Sequence, residues 1–126
     1  LNPGGVRIGT AELYSAVERL DDVVDSIAID YQVKGDSDIV LFVKVREGVD
    51  FTQLTSKIRK QIKNLLSPRH IPKYLFRVEN IPYTRSGKKT EIAVRKIFRG
   101  DTIDNLSAIS NPQFQEEYER LADSLS

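Results

Sequence analysis

Tyr74-Leu75-Phe76-Arg77-Val78, then Pro82-Tyr83-Thr84-Arg85-Ser86-Gly87-Lys88-Lys89, then Thr90-Glu91-Ile92-Ala93-Val94 read as a strand, a turn and a helix in that order. Pro82 fixes its own φ, Thr84 and Ser86 favour turns, and Gly87 reaches φ values that other residues resist. A lysine held at the end of such a turn is a point cation on a long stem, suited to a phosphate or a developing oxyanion. A bare Ser-Gly-Lys is by itself better read as a solvated lysine in a surface turn, so the weight rests on the whole stretch.

Upstream of it the periodicity predicts further elements. Thr10 is a candidate N-cap for a helix carrying Leu13, Val17 and Leu20 at helical spacing. Val23 to Tyr31 suggests a strand, Lys34–Asp38 a polar turn, and Ile39 to Arg46 a second strand with Ile39, Leu41, Val43 and Val45 on one face, so the pair reads as a β-hairpin. Asp50 and Gln53 open a helix whose stripe is Leu54, Ile58, Ile62 and Leu65, ended by Pro68. Downstream, Gly100 suits the residue that closes the Thr90–Arg99 helix, and Asp101–Ser110 reads as a linker. Asn111 and Pro112 look like the cap and first residue of a last helix striped by Phe114, Tyr118, Leu121 and Leu125.

The chain has 126 residues, 40% hydrophobic and 29% charged, enough for one domain with a buried core. It contains no cysteine and a single histidine, which excludes disulfides, thiolate chemistry and a cysteine nucleophile and makes a His-based zinc site a poor reading. No apolar run approaches the roughly 20 residues that span a bilayer, and no signal-peptide pattern appears, so a cytoplasmic protein is expected. Methionine is absent even at position 1, as in a piece of a longer polypeptide. The net charge of +1 hides a basic middle: between Asp50 and Glu91 the only acid is Glu79. Such a segment suits a polyanionic ligand or a solvated helix face.

Pro82 to Lys89 resembles the C-terminal lysine motif of the adenylate-forming superfamily, roughly Pro-Lys-Thr-x-Ser-Gly-Lys, with Lys88 at the lysine position. Gly87-Lys88-Lys89-Thr90-Glu91-Ile92-Ala93 is most similar to the acetoacetyl-CoA synthetase branch. At the other end, Gly4-Gly5-Val6-Arg7-Ile8-Gly9-Thr10 resembles the loop that follows the interdomain hinge in the same enzymes. The tail from Ser110-Asn111-Pro112 is similar to that branch's extension.

The resemblance implies an α+β fold, a small and mainly three-stranded sheet with an N-terminal β-ribbon, covered by helices. Residues 1–100 would form a mobile catalytic domain of an acyl-CoA ligase and 101–126 a linker and helical extension. The implied reaction joins a carboxylic acid, acetoacetate in this branch or acetate or another short acid, to CoA through an acyl-adenylate, with release of pyrophosphate and then AMP. ATP, Mg2+ and CoA would serve the full-length enzyme, and none would bind tightly to this part alone, which would be inactive.

Residue by residue, the motif implies that Lys88 neutralises charge during adenylation while Gly87 lets the backbone approach. Gly4 and Gly5 would line the pantetheine path, and Arg7 would contact nucleotide phosphate or organise the site in a rotated state, an ordinary strand-end arginine being the plainer reading. Lys63 matches a position meeting the CoA phosphates, with Arg59 and Arg69 as weaker candidates; a solvated surface charge fits each of these three equally well. His70 reads as structural. Three residues depart from the general motif: Tyr83 replaces a lysine, Lys89 an apolar residue, and Glu91 an arginine. If Lys88 is the functional lysine, substitution of Lys89 is expected to cost little.

The expected partners are an N-terminal domain of the same polypeptide and small-molecule substrates, with neither nucleic acid nor membrane. A basic nucleic-acid-binding module is the competing class, but the chain has no RNP-like aromatic pair, zinc-finger spacing or arginine-rich recognition helix.

Overall fold

Ile39-Val40-Leu41-Phe42-Val43 is apolar at every position, which a strand tolerates only when both of its faces are covered. The structure, a computed structural model, describes residues 9–33, 36–104 and 106–125 and places this run at the centre of a three-stranded sheet. Strand β1 (Val23–Val33) pairs antiparallel with β2 (Asp36–Val45), with Ile27 opposite Phe42 and Ile29 opposite Val40. Strand β3 (Tyr74–Arg77) pairs with the other edge of β2 in parallel, from Val40 with Tyr74 to Val43 with Arg77. A parallel neighbour requires a crossover, and helix α2 (Phe51–Leu65) provides it. The expected face of Ile39, Leu41 and Val43 is present, but Val40 and Phe42 on the opposite face are equally buried.

Each face of the sheet has its own core. Helices α1 (Thr10–Glu18) and α2 cover Ala28, Ile39, Leu41 and Val43 with Leu13, Val17, Leu54, Ile58 and Ile62. On the other face, α3 (Glu91–Arg99) and α4 (Phe114–Leu125) cover Ile27, Ile29, Val40 and Phe42 with Val94, Ile97, Phe98, Phe114 and Tyr118. This α+β arrangement is the expected one; the expected N-terminal β-ribbon lies outside the described residues.

The helix ends hold several corrections. Gly9, not Thr10, is the N-cap of α1, and Thr10 makes no capping bond. Asp50 does cap α2, its carboxylate accepting the Gln53 N–H at 3.3 Å. Leu65 leaves the buried stripe at 45% exposure, because Leu66 turns out of the helix and packs with Ile71 against the core instead. Gly100 ends α3 at φ +78°, its N–H and that of Asp101 satisfying the carbonyls of Ile97 and Lys96. Helix α4 begins at Phe114, two residues after Pro112, and Asn111 spends its side chain elsewhere rather than on a cap.

Residues 106–125 are packed into the same core as the sheet. The Tyr118 ring lies 4.8 Å from that of Phe42 and 5.5 Å from that of Phe114, and its hydroxyl donates to the Asn80 carbonyl at 2.7 Å. Burial keeps that hydroxyl protonated well above the usual tyrosine range. The Glu117 carboxylate accepts the N–H groups of Glu79 and Asn80 at 2.8 and 3.2 Å, fastening α4 to the loop after β3. Among the described residues, no helix is long and apolar enough to cross a membrane. Tyr118→Ala is expected to cost about 3–5 kcal/mol, as for other large buried aromatics, measured by urea unfolding of the 126-residue chain.

Candidate functional site: the lysine turn

The main chain from Ile81 to Thr90 runs from the buried interior to the surface and back, so its amides need partners wherever water is excluded. Inside the turn, Thr84 N–H donates to the Lys88 carbonyl at 2.7 Å and Gly87 N–H to the Thr84 carbonyl at 2.9 Å. Thr84 Oγ1 accepts the Lys88 N–H at 3.1 Å and lies 2.9 Å from Ser86 Oγ. Gly87 adopts φ +90°, the one position of this turn where a Cβ would be strained. Tyr83 and Lys89 then form an antiparallel bridge that closes the base.

The tail supplies the outer edge. Thr84 bridges Ile109, Arg85 N–H reaches the Ala108 carbonyl at 3.0 Å, and Ser110 N–H reaches the Tyr83 carbonyl at 2.9 Å. Arg85 Nε donates to the Ser107 carbonyl at 2.9 Å. The Asn111 side chain accepts the Tyr83 N–H at 3.1 Å and donates to the Ile81 carbonyl at 2.9 Å. At the inner end, the Pro82 carbonyl accepts both the N–H and the hydroxyl of Thr90. The turn is thus sewn to α3 on one side and to residues 107–111 on the other.

The two adjacent lysines are in opposite circumstances. Lys88 is exposed, and its ammonium has no partner among the described residues; its rim is shared with Ile92, which is 66% exposed, and with Ile103, Ala108 and Ile109, which line an open groove of about 330 Å³. Lys89 points inward with its side chain only 18% exposed. Its Nζ meets Glu18 at 2.7 Å and Asp25 at 3.4 Å, and stands 3.8 Å from the centroid of the Tyr14 ring. Lys89 thus neutralises two carboxylates on two different elements, a structural role separate from the chemistry expected of Lys88.

All three departures from the general motif meet in this one cluster. Tyr83 donates its hydroxyl to Asp25, and Glu91 accepts the hydroxyl of Tyr14, which also accepts the Ala28 N–H at 3.0 Å. Ser26 donates to Glu18 at 2.6 Å. Asp25 follows a bulge between Val23 and Asp25, which leaves Val24 outward and aims the carboxylate at the turn. Burial first, and then donation to Glu91, push the Tyr14 hydroxyl above the ordinary tyrosine range; burial and then Asp25 do the same to Tyr83.

The remaining candidates lie elsewhere. Lys63 is exposed on α2, across the sheet from α3 and the lysine turn. Arg59 is half-buried on the same helix, and Arg69 is exposed in the Pro68–His70 turn, where His70 Nδ1 lies 2.6 Å from Ser67 Oγ. Gly4, Gly5 and Arg7 lie outside the described residues. Sequence reasoning missed Asn111 as a tie and the Glu18–Asp25–Lys89 cluster; the one available signal was that three departures fall within nine residues. Among the described residues, no group of three His, Asp or Glu side chains could hold a metal ion.

No family model matches the chain. The computed fold superposes on acetoacetyl-CoA synthetase from Streptomyces lividans with a TM-score of 0.86 and 34% identity, covering 96% of this chain and 19% of that one. An acyl-CoA synthetase of Brucella canis shares the fold at a TM-score of 0.70 and 24% identity, over 75% of this chain and 18% of that one. These likenesses define a class: the chain shares the fold of a domain carried by acyl-CoA synthetases. In sequence it is similar to acetoacetyl-CoA synthetases in particular, 45% identical over 114 residues to that of Rhizobium meliloti and 41% over 121 residues to that of Caenorhabditis elegans. Those matches cover 90% and 94% of this chain but only 18% and 17% of the relatives' length. The expected resemblance is borne out.

Lys89→Ala leaves Glu18 and Asp25 facing each other without a cation and is expected to cost about 1–3 kcal/mol, whereas Lys88→Ala should leave the urea midpoint unchanged. The folded state raises the Tyr14 and Tyr83 hydroxyls, so it holds their protons more tightly than the unfolded chain does. Their contribution is complete below the unfolded value of about 10 and is lost as pH rises past it. A urea midpoint that falls above pH ~10, and falls less in the Tyr14→Phe/Tyr83→Phe variant, is the expected result.

Proposed function

We propose that this chain is the mobile C-terminal domain of an ATP-dependent acyl-CoA ligase that converts acetoacetate, ATP and CoA to acetoacetyl-CoA, AMP and pyrophosphate. Lys88 supplies the adenylation cation. The observation that carries the reading is an exposed ammonium without a partner among the described residues, on a turn closed by the Thr84–Lys88 hydrogen bonds, at the lysine position of the matching motif. Residues 1–100 form the domain proper, and 101–126 form an extension that braces the turn.

In the first half-reaction a carboxylate oxygen attacks the α-phosphate of ATP, and pyrophosphate leaves. Lys88 Nζ, reaching into a site contributed by an N-terminal domain of the same polypeptide, neutralises negative charge shared by the attacking and phosphoryl oxygens. Gly87, with no side chain and φ +90°, lets the turn approach without obstruction. In the second half-reaction the domain turns a different surface to the site. Gly4 and Gly5 line the thiol path there, Arg7 contacts the nucleotide phosphate or organises the site, and Lys63 meets the CoA phosphates. The placement of Lys63 on α2, in a different element from the lysine turn, supports such a division of labour. Acetate or another short acid is the competing substrate.

The test uses the full-length polypeptide that contains this chain. Lys88→Ala is expected to reduce acetoacetate-dependent ATP–pyrophosphate exchange by about 10²-fold or more, with thioester formation from preformed acyl-adenylate retained. Equal exchange in both forms would remove Lys88 from the mechanism, and the best acid in a panel containing acetoacetate and acetate names the substrate. The 126-residue chain alone is expected to show no ligase turnover.

A further inference from the structure

Gly87 at φ +90° and the Thr84–Lys88 hydrogen bonds set the register of the turn from within, and two consecutive lysines leave a second choice, which of them enters the acidic pocket. Along extended backbone, adjacent side chains point to opposite sides, so a slip of one residue would send Lys88 inward and Lys89 outward. Such a slip would keep a cation in each place but would take Gly87 from its φ +90° position and break the Thr84–Lys88 hydrogen bonds. The inner pocket adds its own discrimination, because Glu18, Asp25 and the Tyr14 ring receive the residue paired with Tyr83.

We propose that Lys89 is a positioning residue that locks the register of the turn and thereby keeps Lys88 outside. Its ammonium satisfies the two carboxylates from α1 and β1, so the acidic pocket exerts no pull on the next lysine. Without Lys89 the pocket holds two uncompensated carboxylates within one residue's reach of Lys88, which then moves in to fill it. The lock works because Lys89 is a cation of the right length on the right side of the bridge. Tyr83 and Glu91 complete it by engaging Asp25 and Tyr14.

The lock itself stands on this geometry; its consequence for catalysis rests on the adenylation role of Lys88. It is therefore tested on the 126-residue chain without any ligase assay, by limited acetylation with acetic anhydride and site-by-site mass spectrometry. The free amine attacks one carbonyl, an amide forms, acetate leaves and a proton passes to solvent. In the native chain Lys88 is expected to react faster than Lys89. In Lys89→Ala, held folded as judged by circular dichroism, Lys88 should react at least about fivefold more slowly. Lys89→Arg, which keeps the inner cation, should restore the native Lys88 rate. Glu18→Gln/Asp25→Asn, which keeps both lysines but removes the pull, should raise the Lys89 rate at least about fivefold. This last variant answers the question even if Lys89→Ala does not fold. An unchanged or faster Lys88 in folded Lys89→Ala, a slowed Lys88 in Lys89→Arg, or an unchanged Lys89 in the carboxylate variant would each overturn the lock. Failure of the exchange assay in the full-length polypeptide would instead overturn the catalytic reading and leave the lock intact.

Discussion

Burial of β2 on both faces is the constraint from which the remaining architecture follows. A strand flanked on one edge by β1 and on the other by β3 has its backbone groups satisfied, but its side chains still project to two sides. Helices α1 and α2 must therefore cover one face, and α3 and α4 the other. The parallel pairing of β3 follows from sending α2 across the first face before the chain returns. Once β3 ends at Arg77, the second face still needs its cover, and the chain turns sharply to deliver α3 there. The lysine turn is that reversal.

A reversal at the rim of a sheet would ordinarily be among the more mobile parts of a fold. Here it is held by hydrogen bonds from residues 107–111 on its outer edge and by the Lys89 cluster at its base. Both attachments leave Lys88 Nζ alone. A long side chain with a free ammonium on a fixed backbone reaches a ligand at lower ordering cost than the same side chain on a loose loop. Rigidity of the stem and freedom of the tip are separate properties, and this fold supplies them with separate residues.

The tail illustrates how a segment can read as an appendage and act as a brace. Its apolar stripe, Phe114 and Tyr118, is large enough to anchor it in the core, and that anchorage sets the register in which Asn111 meets Tyr83 and Ile81. The lysine turn and the exposed face of α2 that carries Lys63 are two chemically distinct surfaces. One carries a single projecting lysine beside an apolar groove, and the other carries the basic face of α2.

The elements themselves were legible in the sequence, because helix and strand periodicity record which side of each element is buried. The strand Tyr74–Arg77, the Asp50 cap, Gly87 and Gly100 were all readable from residue type at a local spacing, and the motif around Lys88 carried the family resemblance. Thr10, Leu65 and Asn111 were misread because a cap or the last turn of a stripe depends on where the neighbouring segment goes. The difference between Lys88 and Lys89 was beyond any local reading. Lys89 lies 71 residues from Glu18 along the chain, and Tyr83 lies 58 residues from Asp25. Sequence pattern specifies the burial of each position, but the identity of the partner that neutralises a buried charge is decided only when the sheet brings α1, β1 and the turn together.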